Sequence, residues 1–304
     1  MEFFNPNSRI DFMGVRKWTA LVSIVLLLGS ISVLLVKGLN WGLDFTGGTQ
    51  IEMHFAQTAD LPAIRAALTQ AGFSEAQVVS YGTSSDVLVS LAPKADLEHA
   101  AMMQQIIQLL PEAEIRRVEF VGPQVGQELA TKGALAIVVS MIAIMIYVAL
   151  RFEYRFAISA IVALIHDPIL ILGIFSLWQI EFDLKVLAAV LAVIGYSLND
   201  TIVVFDRVRE NFRKIRHASV MEIMNLSINQ TLSRTIMTSA LTLVVVVVLF
   251  LYGGETIRGF SLALIIGVVF GTYSSIYVAG ALSLVLGLKR SDLAPSKKVA
   301  DERP

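Results

Sequence analysis

The 304-residue chain contains no cysteine, which excludes disulfides and thiolate metal sites. Its four histidines are scattered and form no HExxH or His/Cys cluster. Charge is also scarce: 16% of residues are charged and 55% are hydrophobic, too apolar a balance for a soluble globule and one that reads as a polytopic membrane protein. A net charge of −1 argues against a general nucleic-acid binder. The GxxxxGK[ST], GxGxxG and GxSxG patterns are missing, so ATP hydrolysis, dinucleotide binding and serine-hydrolase chemistry lack their usual signatures. No enzyme activity, metal or cofactor is expected, and any energy the protein uses comes from elsewhere.

What is present is a succession of apolar runs. A polar segment, 1–17, carries Arg9, Arg16 and Lys17 ahead of a first span at 18–36. That run exceeds a signal peptide's apolar region and has no small-x-small cleavage site, so it is read as a retained helix. The glycine-rich stretch Gly42-Leu-Asp-Phe-Thr-Gly-Gly48 lets the chain turn sharply out of the membrane, with Asp44 open between a turn cap and a ligand. Within 37–130, strands at 49–55, 76–82, 86–91 and 115–121 alternate with helices at 61–71 and 97–110. This β-α-β-β-α-β order predicts one small external ferredoxin-like α+β domain. Its charges are dispersed, and Arg65, Arg116 and Arg117 are read as solvated surface residues.

Further spans are predicted at 133–150, 156–178, 184–205, 234–252 and 259–288, giving a six-helix transmembrane bundle. The positive-inside rule collects Arg9, Arg16, Lys17, Arg151, Arg155, Arg207, Arg209, Arg213, Lys214, Arg216, Lys289, Arg290, Lys297 and Lys298 on one side. Both termini, including the tail at 289–304, are therefore expected in the cytoplasm and the α+β domain outside. The segment 206–233 is expected to be a cytoplasmic loop, either carrying an amphipathic surface helix or simply basic and solvated.

Several ionisable residues interrupt the apolar runs. Asp200 lies about 24 Å along the fourth span, counted from Leu184, in a hydrocarbon core about 30 Å thick. An intramembrane carboxylate usually faces a protein interior or a water path; the alternative is solvation near the inner surface, with Asn199 and Thr201 as ordinary interface residues, and Asn199 and Thr235 are further candidates for a relay or structural role. Arg234 starts the fifth span at a similar depth, so an Asp200–Arg234 pair, released when the carboxylate is protonated, is expected. His166 and Asp167 precede Pro168 near mid-membrane, either as a structural pair or as a relay. Small residues recur every fourth position in the sixth span. Gly267, Gly271 and Ser275 point to close helix packing, within a tight bundle or against a partner subunit.

The glycine-rich stretch, Arg151-Phe-Glu-Tyr-Arg-Phe156, His166-Asp167, Ser197-Leu-Asn-Asp-Thr-Ile-Val-Val-Phe-Asp-Arg207, Asn229-Gln-Thr-Leu-Ser-Arg-Thr235 and Gly271-Thr-Tyr-Ser-Ser275 together closely resemble the SecF family. That family is the smaller half of the bacterial SecDF accessory complex of the Sec translocase, within the resistance-nodulation-division superfamily, and the match runs over about 9–287. The resemblance implies a multi-pass protein of the inner membrane that uses inward proton flow to assist preprotein export and membrane-protein insertion. It places Asp200 and Arg234 on the proton path, with protons as the coupling ion. SecD as heterodimer partner, the SecYEG translocon, YajC, YidC, the translocating preprotein and membrane lipid are the implied partners, with no nucleic acid. Six spans are half the complement of a full transporter, so a SecD-like half is expected from another chain. A small-molecule or lipid exporter half and a purely structural translocon-stabilising subunit are the alternatives.

Overall fold

The computed structural model describes residues 9–74, 76–93, 99–215 and 217–289. Arg216, Arg290, Lys297, Lys298, the first eight residues and the tail beyond 289 lie outside them, as do the first two positions of the helix predicted at 97–110.

Helix α1 (Arg16–Lys37) stops at Gly38, whose φ of +67° suits glycine. A two-residue strand β1 (Asn40–Trp41) and a single helical turn α2 (Leu43–Thr46) lead into the external domain: β2 (Gly48–Phe55), α3 (Leu61–Gln70), β3 (Gln77–Tyr81), β4 (Thr83–Leu91), α4 (His99–Leu109) and β5 (Ala113–Val121). The sheet order β3-β4-β2-β5, antiparallel throughout, is that of the ferredoxin-like split βαβ pattern. Alternate residues Ile51, Met53, Val87 and Val89 turn one face toward Ile64, Leu68, Met102 and Ile106 of the two helices. Asp60 caps α3 by accepting from the Ala63 N–H at 3.1 Å. Strand β4 begins three residues before the predicted 86, because Gly82 at φ +80° closes a tight hairpin with β3.

Six helices are long and apolar enough to cross a membrane among the described residues: α1, α5 (Pro123–Arg151), α6 (Tyr154–Trp178), α7 (Leu184–Lys214), α8 (Val220–Tyr252) and the stretch Glu255–Val285. The last is compound, with α9 (Arg258–Ser274), a π-helical turn (Ser275–Ala279) and α10 (Gly280–Val285). Helices α6, α7 and α9 form the packed centre. Helices α1, α5 and α8 keep most of their apolar surface exposed, a face suited to lipid or to another apolar protein.

Two boundaries differ from the sequence reading. Helix α5 starts at Pro123, ten residues before the predicted span, because Gly122 and an N-terminal proline initiate a helix irrespective of polarity. The segment 206–233 is not a loop. Its first nine residues extend α7 and its last fourteen open α8, leaving only a short link at 215–219. Hydropathy marks where a chain enters the membrane rather than where its helix ends. Ser219 and Glu222 form a capping box that starts α8 well before the bilayer, and Arg207–Glu210 and Glu210–Lys214 pairs support the polar end of α7.

The small residues of the sixth span pack inside the bundle. A methyl group at Gly267 would overlap Val193 of α7, and one at Gly271 would lie 3.0 Å from Ser197 Cβ. These glycines let α7 and α9 approach closely. Ser275 is buried at the start of the π turn and donates to the Thr272 carbonyl. Replacing Gly267 by Leu overpacks this seam, at an expected cost of about 1–3 kcal/mol. The purified variant should melt at a lower temperature in detergent; an unchanged melting temperature would show that the seam tolerates side chains.

Candidate functional site

At the outer end of the bundle, β1 pairs in parallel with β6 (Glu181–Phe182), tying the exit of α1 to the link between α6 and α7. Trp41, Phe45 and Phe182 pack edge-to-face and stacked around this junction. Asp44 accepts from the Leu184 N–H at 3.0 Å, and Asp183 from the Val186 N–H at 2.8 Å, so two carboxylates cap α7. Asp44 is thus a cap, but for a helix 140 positions away rather than for its own turn. The glycine pair that follows is needed for its backbone. Gly47 and Gly48 have φ of +68° and +127°, and a Cβ on Gly48 would run into the Leu91 carbonyl.

The open face of the external sheet lies over this junction, enclosing a cavity of about 470 Å³ between Gln50, Glu52 and Glu119 on one side and Glu181, Asp183 and Lys185 on the other. Tyr81 reaches across it to hydrogen-bond Thr256 at 2.9 Å. Burial, reinforced by Asp183, pushes the Glu181 carboxyl above its ordinary range, and burial does the same to Asp183.

Deeper in the bundle the polar side chains separate into two groups. In the first, Asp167 is fully buried and has hydrogen-bond partners on both oxygens. Its Oδ1 lies 2.9 Å from His166 Nδ1, and its Oδ2 accepts from Ser197 at 2.5 Å and Ser274 at 2.8 Å, joining α6, α7 and α9. His166 stacks on Tyr273, whose hydroxyl donates to the Thr19 carbonyl and contacts Ser23 of α1, while His166 Nε2 is buried without a partner.

In the second group, between α7 and α8, Asp200 is 3% exposed and its Oδ2 has no hydrogen-bond partner. Thr235 of α8 is likewise buried, with its hydroxyl unpartnered. One turn away on each helix, Tyr196 donates to Ser239, which shares a 2.7 Å bond with Thr272 of α9. The sequence reading missed this chain. Its signal was the four-residue spacing of Tyr196 from Asp200 and of Ser239 from Thr235, which puts each pair on one helix face.

The expected Asp200–Arg234 ion pair is not closed. No ion pair joins the two among the described residues, and Arg234 is exposed, although close enough to act on Asp200 through space. Successive helical residues point about 100° apart, so the same rotation that turns Thr235 toward α7 turns Arg234 away. Asn199 is exposed as well and has no part in either network.

The chain resembles known proteins in sequence and in fold. The family model described as "Protein export membrane protein SecD/SecF, C-terminal" matches residues 101–289, and "SecD/SecF GG Motif" matches 32–59, around the glycine pair. The protein translocase subunit SecF of Vibrio alginolyticus is 52% identical, covering 97% of this chain and 95% of that protein. The chain belongs to the SecF family. The SecF subunit of Pseudomonas aeruginosa is 47% identical over 97% of this chain and 98% of its own length. The crystal structure of SecDF from Thermus thermophilus, a translocon-associated membrane protein, superposes with a TM-score of 0.86 at 36% identity. It covers 93% of this chain, and this SecF-family chain spans 39% of that longer one. A super-membrane-facing form of SecDF gives a TM-score of 0.69.

The junction carboxyls make a testable contribution. A carboxyl whose pKa is raised by folding binds its proton more tightly in the folded state. It therefore favours that state in acid and loses this effect as pH rises through the raised value. Replacing Glu181 by Gln should narrow the difference in melting temperature between about pH 5 and about pH 8, mainly by stabilising the protein at the higher pH. An unchanged difference would place the titrating groups elsewhere.

Proposed function

We propose that this chain is the six-span half of a proton-driven accessory complex of the Sec translocase, acting in preprotein export and membrane-protein insertion at the bacterial inner membrane. The observation that carries the reading is Asp200: a buried carboxylate in the fourth span with one oxygen unpartnered, beside an unpartnered Thr235. An unsatisfied buried polar atom costs about 1–3 kcal/mol. A static structural role gives no reason to bear that cost, whereas a group that must gain and lose a proton needs a free oxygen. Arg234, at the adjacent position on α8, is the nearby counter-charge on the proposed proton path.

The orientation follows from the basic residues. Arg16, Lys17, Arg151, Arg155, Arg207, Arg209, Arg213 and Lys214 share one end of the bundle and set it in the cytoplasm. The α+β domain then stands in the periplasm, where it couples membrane motion to the emerging chain. SecD supplies the complementary half, against the exposed apolar helices, as the longer SecDF relative supports. SecYEG, YajC and YidC are the remaining assembly partners. A proton crossing 100 mV releases about 2.3 kcal/mol, enough to move an even two-state equilibrium to about 50:1. Rigid-body movement of α8 against the α6–α7–α9 centre is within that range.

The test is export of a secreted protein by cells in which this chain replaces the native subunit. Asp200→Asn should slow export to the rate of cells lacking the subunit while the complex assembles at the normal level. Normal export would remove the proton role, and lost assembly would favour a structural subunit.

A further inference from the structure

Asp167 is joined through Ser197 to α7 one turn before Asp200 and differs from Asp200 in one respect: both of its oxygens have hydrogen-bond partners. Three polar groups surround it, the His166 ring on its own helix and one serine hydroxyl each from α7 and α9, and no Lys or Arg is among its partners. Both serine hydroxyls converge on Oδ2, and the Ser274 hydroxyl also lies 3.1 Å from the Gly271 carbonyl. Ser197 is three residues before Asp200 on α7, nearly one turn, and the backbone there is further tied by the Thr201 hydroxyl donating to the Ser197 carbonyl. Ser274 is the last residue of α9 before the π-helical turn, which re-registers every later residue of that span relative to α7. Gly271, one turn before Ser274, lets the backbones approach so closely that both hydroxyls reach one carboxylate oxygen.

We infer that Asp167 is a positioning residue rather than a proton carrier: through Ser197 and Ser274 it locks α7 and α9 in one register and so holds Asp200 at the place where it takes up its proton. The inference rests on the proposed role of Asp200.

The chemistry of the site separates the two roles. In Asp167→Asn the amide oxygen can accept from both serines while the amide nitrogen donates to Nδ1 of His166 in its Nε2–H tautomer, so the serine pin survives without a titratable carboxyl. Asp167→Ala removes it, and the Ser197→Ala/Ser274→Ala double variant removes it while keeping the carboxylate. Register can be read independently of transport. Val186 of α7 and Gly259 of α9 face each other, with 3.1 Å from a Cβ built on Gly259 to Val186 Cγ2, and the chain has no native cysteine. A Val186→Cys/Gly259→Cys pair therefore reports α7–α9 register by disulfide formation.

In membranes of cells expressing the full chain with SecD, the rate of this cross-link and the rate of export are measured for each variant. The expected result is that Asp167→Asn stays within about twofold of wild type in both. Asp167→Ala and the double serine variant should cross-link and export at least about fivefold more slowly, and Asp200→Asn should cross-link normally. Normal cross-linking in both Asp167→Ala and the double serine variant would overturn the pin. So would an Asp167→Asn variant that cross-links normally yet exports as poorly as Asp200→Asn, since that would make Asp167 a proton carrier. Cross-linking requires no proton coupling, so it tests the pin even if Asp200→Asn leaves export untouched.

Discussion

A carboxylate in a bilayer must find inside the protein the hydrogen bonds that water would have given it. This requirement organises the membrane half of the molecule. Asp167 meets it with partners on both oxygens, and Ser197 and Ser274 converge there so that α6, α7 and α9 are joined. Asp200, one turn along α7, keeps a buried oxygen without a partner. That difference between two buried carboxylates is the ground on which one is proposed as a fixed point and the other as the group that takes up a proton.

Packing then makes the fixed point available. Two hydroxyls on different helices reach one carboxylate oxygen only if the backbones are close, and Gly267 and Gly271 provide that closeness by leaving room for Val193 and Ser197. The peripheral helices keep most of their apolar surface exposed, to lipid or a partner, although Gly173 gives Ser30 of α1 and Gly133 gives Leu187 of α7 similar close seats. Helix α8 packs its first half, Ile223, Met224, Ile228 and Leu232, into the core and leaves most of its second half exposed, with buried Thr235 and exposed Arg234 between them. The outer end is tied down differently, by a short parallel bridge, an aromatic cluster and two carboxylates capping α7. The external domain sits over these elements and reaches them through Tyr81 and the junction carboxyls.

Much of this was legible in the sequence because its causes are local. Apolar run length marks a span, alternation in Ile51, Met53, Val87 and Val89 marks a half-buried sheet, and a lone Asp in an apolar run marks a special group. Features set by rotation or by distant contacts were not legible. Whether Arg234 meets Asp200 depends on one residue's worth of helical rotation, which matched depth does not specify. Asp44 looked like the cap of its own turn because its partner, Leu184, is remote in sequence. The polar ends of α7 and α8 look like a loop to any hydropathy argument, although the Ser219–Glu222 capping box was in plain view. In the case of Asp167, the residue types left two roles open, and only the convergence of Ser197 and Ser274 on one oxygen favours the structural one.

The central claim is that Asp200 exchanges a proton across the membrane, and proton flux tests it without relying on export. The complex of this chain with SecD can be reconstituted in liposomes enclosing a pH-sensitive dye, and an inward proton gradient imposed. The account predicts proton entry with the native chain and entry at the rate of empty liposomes with Asp200→Asn at equal protein content. Equal flux through the two would contradict it.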